Sequence, residues 1–162
     1  MTRAVTINPM NSSQVTDAID LIASAMNQAE AGWAKEAFNY YFACEQKGID
    51  SARNYYVASS DNKLCGLVGL HKFRWGPPDN VWLSWFAVHP DFQQRGIGSQ
   101  MLGYIKRLAM KYGYKKLLVE TYASQEFTVA RRFYEQQGFT LDGKIDRYID
   151  DEVAMLVYGK RL

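Results

Sequence analysis

The chain has 162 residues, 48% of them hydrophobic, and a formal net charge of +2. That length suffices to bury a real core, and the moderate charge excludes a disordered chain. Near-neutrality gives no argument for a nucleic-acid partner, and no stretch is apolar for long enough to span a membrane. The segment from Met1 to Pro9 lacks an apolar run of signal-peptide length, so a cytoplasmic setting is expected. Cys44 and Cys65 stand alone, a spacing that supports neither a zinc site nor a disulfide framework; no metal is expected. No linker, repeat or low-complexity segment interrupts residues 1–162, which predicts one domain.

Residues 3–8 alternate, with Val5 and Ile7 on one face, as a short strand ended by Pro9. Asn11 or Ser12 is placed to cap a helix in which Val15, Ile19, Leu21, Ile22 and Met26 recur at near-helical spacing. A second helical pattern follows Gly32 through Trp33, Ala37, Phe38, Tyr41 and Phe42, and stops at Gly48. Residues 55–59 predict a strand, Asp61-Asn62-Lys63 a tight turn, and residues 64–73 the returning strand. Gly76-Pro77-Pro78-Asp79-Asn80 is a loop. Residues 81–88 are apolar apart from Ser84, as in a central strand covered on both faces.

Beyond His89-Pro90-Asp91-Phe92, the run Gln93-Gln94-Arg95-Gly96-Ile97-Gly98-Ser99 opens a helix. Its apolar stripe is Ile97, Met101, Leu102, Ile105, Leu108, Ala109 and Tyr112, and Gly113 ends it. Residues 115–120 predict a strand and 127–137 a shorter helix stopped by Gly138. Two strands follow, one opening at Phe139 and the other covering 153–158. Between those two, residues 146–152 form an acidic loop with Asp146, Asp150, Asp151 and Glu152. The order β-α-α-β-β-β-α-β-α-β-β is an α/β domain with a mixed central sheet flanked by helices. The parallel crossover from residue 81 to 120 is expected to be right-handed.

A strand, a glycine-bearing loop and a helix N-terminus in succession expose backbone N–H groups that have no partner inside the helix. The helix dipole adds partial positive charge there, and Gly96 and Gly98 let a ligand approach the main chain, so the loop suits a phosphate or pyrophosphate. A nucleotide loop is disfavoured: no Lys-Ser/Thr pair follows Gly98, and a third glycine is missing.

Gln93-Gln94-Arg95-Gly96-Ile97-Gly98 resembles the Q/R-x-x-G-x-G/A signature of the GNAT superfamily of acyl-CoA-dependent N-acetyltransferases. Phe86-Ala87-Val88-His89-Pro90 looks like the end of that family's fourth strand. Ala130-Arg131-Arg132-Phe133-Tyr134-Glu135-Gln136-Gln137-Gly138-Phe139 resembles its second motif, A-x-x-F-Y-x-x-x-G-F. The element order is similar to the family fold over nearly the whole chain. The resemblance implies that the loop of Gln93, Gln94, Arg95, Gly96, Ile97, Gly98 and Ser99 holds the pyrophosphate of acetyl-CoA. It also implies that the main chain of Phe86, Ala87 and Val88 pairs with the pantetheine arm, beside a splay that admits the thioester.

The implied activity is acetyl transfer to a primary amine, of a small molecule or a peptide, by direct attack in a ternary complex. No metal, nucleic acid or membrane is implied, and a homodimer is left open. Tyr134 matches the position that commonly protonates the leaving thiolate; read plainly, it is a helix tyrosine capping the core beside Phe133. Where many members carry a fourth-strand glutamate, this chain has Ser84, which is no strong base. Glu120, ending the next strand, is the replacement candidate, with a structural salt bridge as the alternative. The missing glutamate also motivates a different reading, a non-catalytic acyl-CoA sensor. His71 and His89 have suitable intrinsic pKa values but read as incidental, with His89 facing solvent. Phe127 stands where the family often has an asparagine. The resemblance places Trp33, Tyr40, Trp85, Glu120 and Tyr148 around the acceptor, although Trp33, Tyr40 and Tyr41 at helical spacing also read as core. The acidic loop would draw in a cationic amine, or is a solvated turn.

Overall fold

The computed structural model describes residues 5–162. In chain order it contains β1 (Thr6–Pro9), α1 (Val15–Ala25), α2 (Gln28–Gln46), β2 (Arg53–Ser60), β3 (Lys63–His71) and β4 (Asn80–Val88). There follow α3 (Ile97–Lys111), β5 (Lys116–Tyr122), α4 (Thr128–Gln136), β6 (Thr140–Ile149) and β7 (Val153–Arg161). This is the order expected from the sequence. The strands form one mixed sheet, β1-β2-β3-β4-β5-β7-β6, in which only β4 and β5 run parallel.

The helices cover opposite faces. On one, Ala18, Leu21 and Ile22 of α1 and Ala34 and Phe38 of α2 pack on Tyr55, Val57 and Leu67. On the other, the α3 stripe of Ile97, Met101, Leu102 and Ile105 packs with Tyr134 and Phe139 on Val68, Val81, Leu83, Leu117 and Val119. Burying each of the larger side chains contributes about 1.5–3 kcal/mol, so these two layers hold the helices on the sheet beneath the site.

Several boundaries move, each for a local reason. The start of the predicted first strand, residues 3 and 4, lies outside the described residues. Pro9 belongs to β1, which tolerates it because β1 is an edge strand. Helix α2 begins at Gln28 rather than after Gly32, because the Asn27 side chain caps it by accepting the Glu30 N–H at 2.8 Å. β3 ends at His71, which leaves Phe73 and Trp75 in the following loop. β7 runs on to Arg161, paired with Lys116. The predicted acidic loop is mostly strand: Asp146 and Tyr148 lie in β6, whose register against β7 slips between Ile145 and Ile149. The turn itself is short, with Asp150 and Asp151 at φ 50° and 57°. Finally, β4 is covered fully on one face only, where Val81 and Leu83 are buried. Its other face borders a cleft.

Candidate active site

The cleft exists because two neighbouring strands part. β4 pairs with β5 from Asn80↔Lys116 to Leu83↔Val119 and no further. On its other side β4 bulges: Leu67 opposes Ala87, while Gly69 opposes Ser84, so β4 carries one extra residue. Trp85 takes up that residue at φ 42°, a left-handed conformation unusual for a bulky side chain. The bulge puts Ser84 and Trp85 on the α1–α2 face together, Ser84 beside Tyr55 and Trp85 against Phe38. Phe86 turns to the opposite face, with its ring 5.5 Å from Phe133 and 6.3 Å from Tyr134. From Ser84 to Val88 the main-chain edge of β4 thus faces a gap.

The anion loop lies just past that edge. Gln94 (φ 58°) and Gly96 (φ 76°) are both left-handed, which gathers successive N–H groups into a concave nest at the α3 N-terminus. The first helical bond there runs from the Gln100 N–H to the Gly96 carbonyl at 3.1 Å, so the N–H groups ahead of it have no helical acceptor. The loop is braced from three sides. The Gln93 side chain donates to the Val88 carbonyl at 3.0 Å, the His89 Nδ1 accepts the Asp91 N–H at 3.2 Å, and Ile97 is buried. His89 is therefore a turn-capping residue, one of many roles for a histidine outside chemistry. Arg95 lies over the Phe92 ring at 5.6 Å, and Gln137 Nε2 donates to Ser99 Oγ at 3.2 Å, tying α4 to the loop. A Cβ on Gly98 would rest in van der Waals contact with the Phe133 ring, 3.4 Å away.

The cleft measures about 690 Å³ and is lined from both faces of the sheet. Trp33, Trp85, Glu120, Tyr134 and Tyr148 all line it, while Tyr40 does not. The Tyr40 ring instead lies beside Arg53, 5.7 Å from its guanidinium carbon. Trp33 is half-exposed and is not core, whereas Tyr41 packs against the Tyr55 ring. Tyr148 stacks on Tyr122 at 6.3 Å, and Asp150 reaches the cleft rim. Asp146 pairs with Lys144 at 2.7 Å and does not line the cleft.

Two carboxylates share the site. Glu30 is 8% exposed and accepts the Trp85 Nε1–H at 3.0 Å. Desolvation by burial raises its pKa, the Trp85 hydrogen bond partly offsets this, and the nearby charge of Glu120 raises it further. Glu120 opens into the cleft, yet the walls around it desolvate its carboxyl enough to raise its pKa as well. Among the described residues no cation pairs with Glu120, so the salt-bridge alternative does not apply. Tyr134 is 4% exposed, and burial raises its pKa, which keeps its hydroxyl protonated. Burial, with the charge of Arg53 added, lowers His71 to about 4, so its imidazole is neutral at physiological pH.

Glu30, Arg53 and Phe73 line the cleft without any signal in the sequence that separates them from scaffold. Glu30 also serves the scaffold, its backbone N–H donating to the Asn27 side chain that caps α2. His71, read as incidental, lines the cleft too. Cys44 and Cys65 are buried away from it.

The sequence model of the acetyltransferase (GNAT) family matches residues 18–139. An S-(2-succino)cysteine N-acetyltransferase of Bacillus subtilis (strain 168) is 25% identical over 97 residues, spanning 56% of this chain and 57% of that protein. The match therefore covers little more than half of that relative's length. A GNAT-family protein from Desulfovibrio desulfuricans has the same fold, with a TM-score of 0.86 at 19% identity over 98% of this chain and 99% of its own. A GNAT acetyltransferase from Elizabethkingia anophelis, solved with acetyl-CoA bound, gives 0.73 at 22% identity over 98% of each chain. The sequence match, over most of the chain, settles membership: this protein belongs to the GNAT family of acetyltransferases.

Proposed function

We propose that the chain is one N-acetyltransferase domain that moves the acetyl group of acetyl-CoA to the primary amine of a small molecule, by direct attack with both substrates bound. The gap between β4 and β5 carries this reading. There the open edge of β4, Tyr134 and the Glu30–Glu120 pair line one cleft, and the N–H nest of α3 follows that edge in the chain. The residues present fit the coenzyme: left-handed Gly96 leaves the nest open to an anion, and the β4 edge has no strand neighbour where an amide-bearing arm would lie.

When bound, acetyl-CoA supplies an acetyl thioester whose leaving group is a thiolate. Backbone N–H groups from Gln94 to Ser99 hold its pyrophosphate, and Phe86 and Val88 align its arm through main-chain hydrogen bonds. A main-chain N–H beside the bulge polarises the acyl carbonyl, which is worth about 3 kcal/mol for one preorganised donor. Glu120 accepts the proton of the acceptor ammonium, whose pKa near 10 otherwise keeps it unreactive; its raised pKa brings it closer to that task. Tyr134 stays neutral and donates its proton to the departing sulfur.

The test is release of free thiol from acetyl-CoA against a panel of small amines and peptides. Turnover of at least one small primary amine is expected. Tight acetyl-CoA binding with no turnover of any acceptor would identify a sensor instead.

A further inference from the structure

One buried carboxylate in the cleft has no task in the scheme above. Glu30, in the first turn of α2, meets both of the strands that part there. It accepts the Trp85 indole N–H of β4 at 3.0 Å, and the Tyr122 hydroxyl of β5 lies within hydrogen-bonding range of the same carboxylate. Trp85 and Tyr122 both stand beyond Leu83 and Val119, the last residues that pair β4 with β5. The side chain of Glu30 thus spans the gap just past the point where the main-chain ladder stops.

That span answers a structural need. Beyond Leu83 the β5 side of β4 has no ladder, and Trp85 holds φ 42°, a conformation that persists in a bulky residue only where its surroundings enforce it. Phe38 of α2 meets the Trp85 ring edge-on at 6.0 Å, but apolar contact is non-directional. The bond to the ionised carboxylate is directional and roughly twice as strong as a neutral one. Local sequence delivers it: the Asn27 cap starts α2 where Glu30 falls in the first turn, and the helix dipole favours a negative charge there. With two protein donors upon it, Glu30 is less free to take a proton from an acceptor than Glu120, which opens into the cleft.

We propose, on the reading of the cleft as an acetyl-transfer site, that Glu30 is a positioning residue: it braces β4 against β5 across the gap and so holds the Trp85 bulge, whose main chain aligns the acyl group. It acts through Trp85 and Tyr122 and takes no proton itself.

The test measures kcat, the KM of each substrate and amide hydrogen exchange in the wild type, E30Q, E30L, W85F and the E30L/W85F double variant. E30L and W85F, which keeps a ring without the indole N–H, should each lower kcat about tenfold, as for the loss of one hydrogen bond to a charged group. The KM for acetyl-CoA should stay near the wild-type value, because the nest at α3 is untouched. The double variant should fall no further than either single one, since both remove the same bond. E30Q keeps an acceptor for the indole and should remain within about threefold of wild type. An unchanged kcat in W85F, or losses that add in the double variant, would sink this inference alone. So would an E30Q as impaired as E30L with a raised acceptor KM, which would make Glu30 a charge for the acceptor ammonium. If E30L fails to fold, W85F and E30Q still decide. No turnover of any amine by the wild type sinks the enzymatic reading, and hydrogen exchange then tests the brace by itself. Amides of residues 84–88 should exchange about tenfold faster in W85F than in wild type or E30Q, with those of α1 unchanged; equal exchange would overturn it.

Discussion

Tyr134 is enclosed by the rings of Phe86, Phe133, Phe139 and Tyr158, with centroids 5.6 to 6.3 Å away. Such a cage keeps the hydroxyl protonated and fixes the side chain at the cleft wall. Tyr134→Phe should lower kcat about 100-fold, measured by thiol release, and leave the calorimetric affinity for acetyl-CoA near the wild-type value. An unchanged kcat would transfer the donor role to water or another group. Tyr134 was legible in the sequence because the motif from Ala130 to Phe139 is contiguous. Glu30 was not, since its partner Trp85 lies 55 positions away and the pair exists only once α2 has docked on β4. Trp33 shows the same limit: helical spacing reads as core, while the cleft turns that face of α2 into a wall.

At the scale of the element, periodicity located α3 and β4 well, because one long apolar stripe or run defines each. The bulge at Trp85 left no such mark, since an extra residue is defined only against the partner strand. Helix α2 shows how a cap outranks a glycine. Asn27 starts the helix four positions ahead of Gly32, where a Cβ would meet nothing within 4 Å, and this early start brings Glu30 into the cleft. The position of Glu30 has a stability consequence. Its folded-state pKa lies above the ordinary 4.5, so in the window above 4.5 the folded chain retains a proton that the unfolded chain has lost. The stabilising contribution of the protonated form is full below that window and fades as pH rises through the folded-state value. Glu30→Gln, which keeps an acceptor for the Trp85 indole, should therefore gain in Tm relative to wild type between about pH 4 and pH 8. A difference in Tm that is the same at both ends would contradict this assignment.

For the molecule as a whole, the element order and the two-sided layering follow from the sequence, and the site does not, because it lies where the sheet fails to close. β4 and β5 begin as a parallel pair and part after Leu83 and Val119, which opens a passage between the two faces of one sheet. On the proposed reading the coenzyme enters beside α3 and the acceptor beside α1 and α2, and they meet at the Trp85 bulge. No carrier residue is then required, and both cysteines are buried outside the cleft. The most direct measurement is an initial-rate matrix in which acetyl-CoA and the best acceptor from the panel are varied together. Direct transfer in a ternary complex predicts double-reciprocal lines that intersect to the left of the vertical axis. A set of parallel lines, the mark of an acetylated enzyme formed before the acceptor binds, would contradict it.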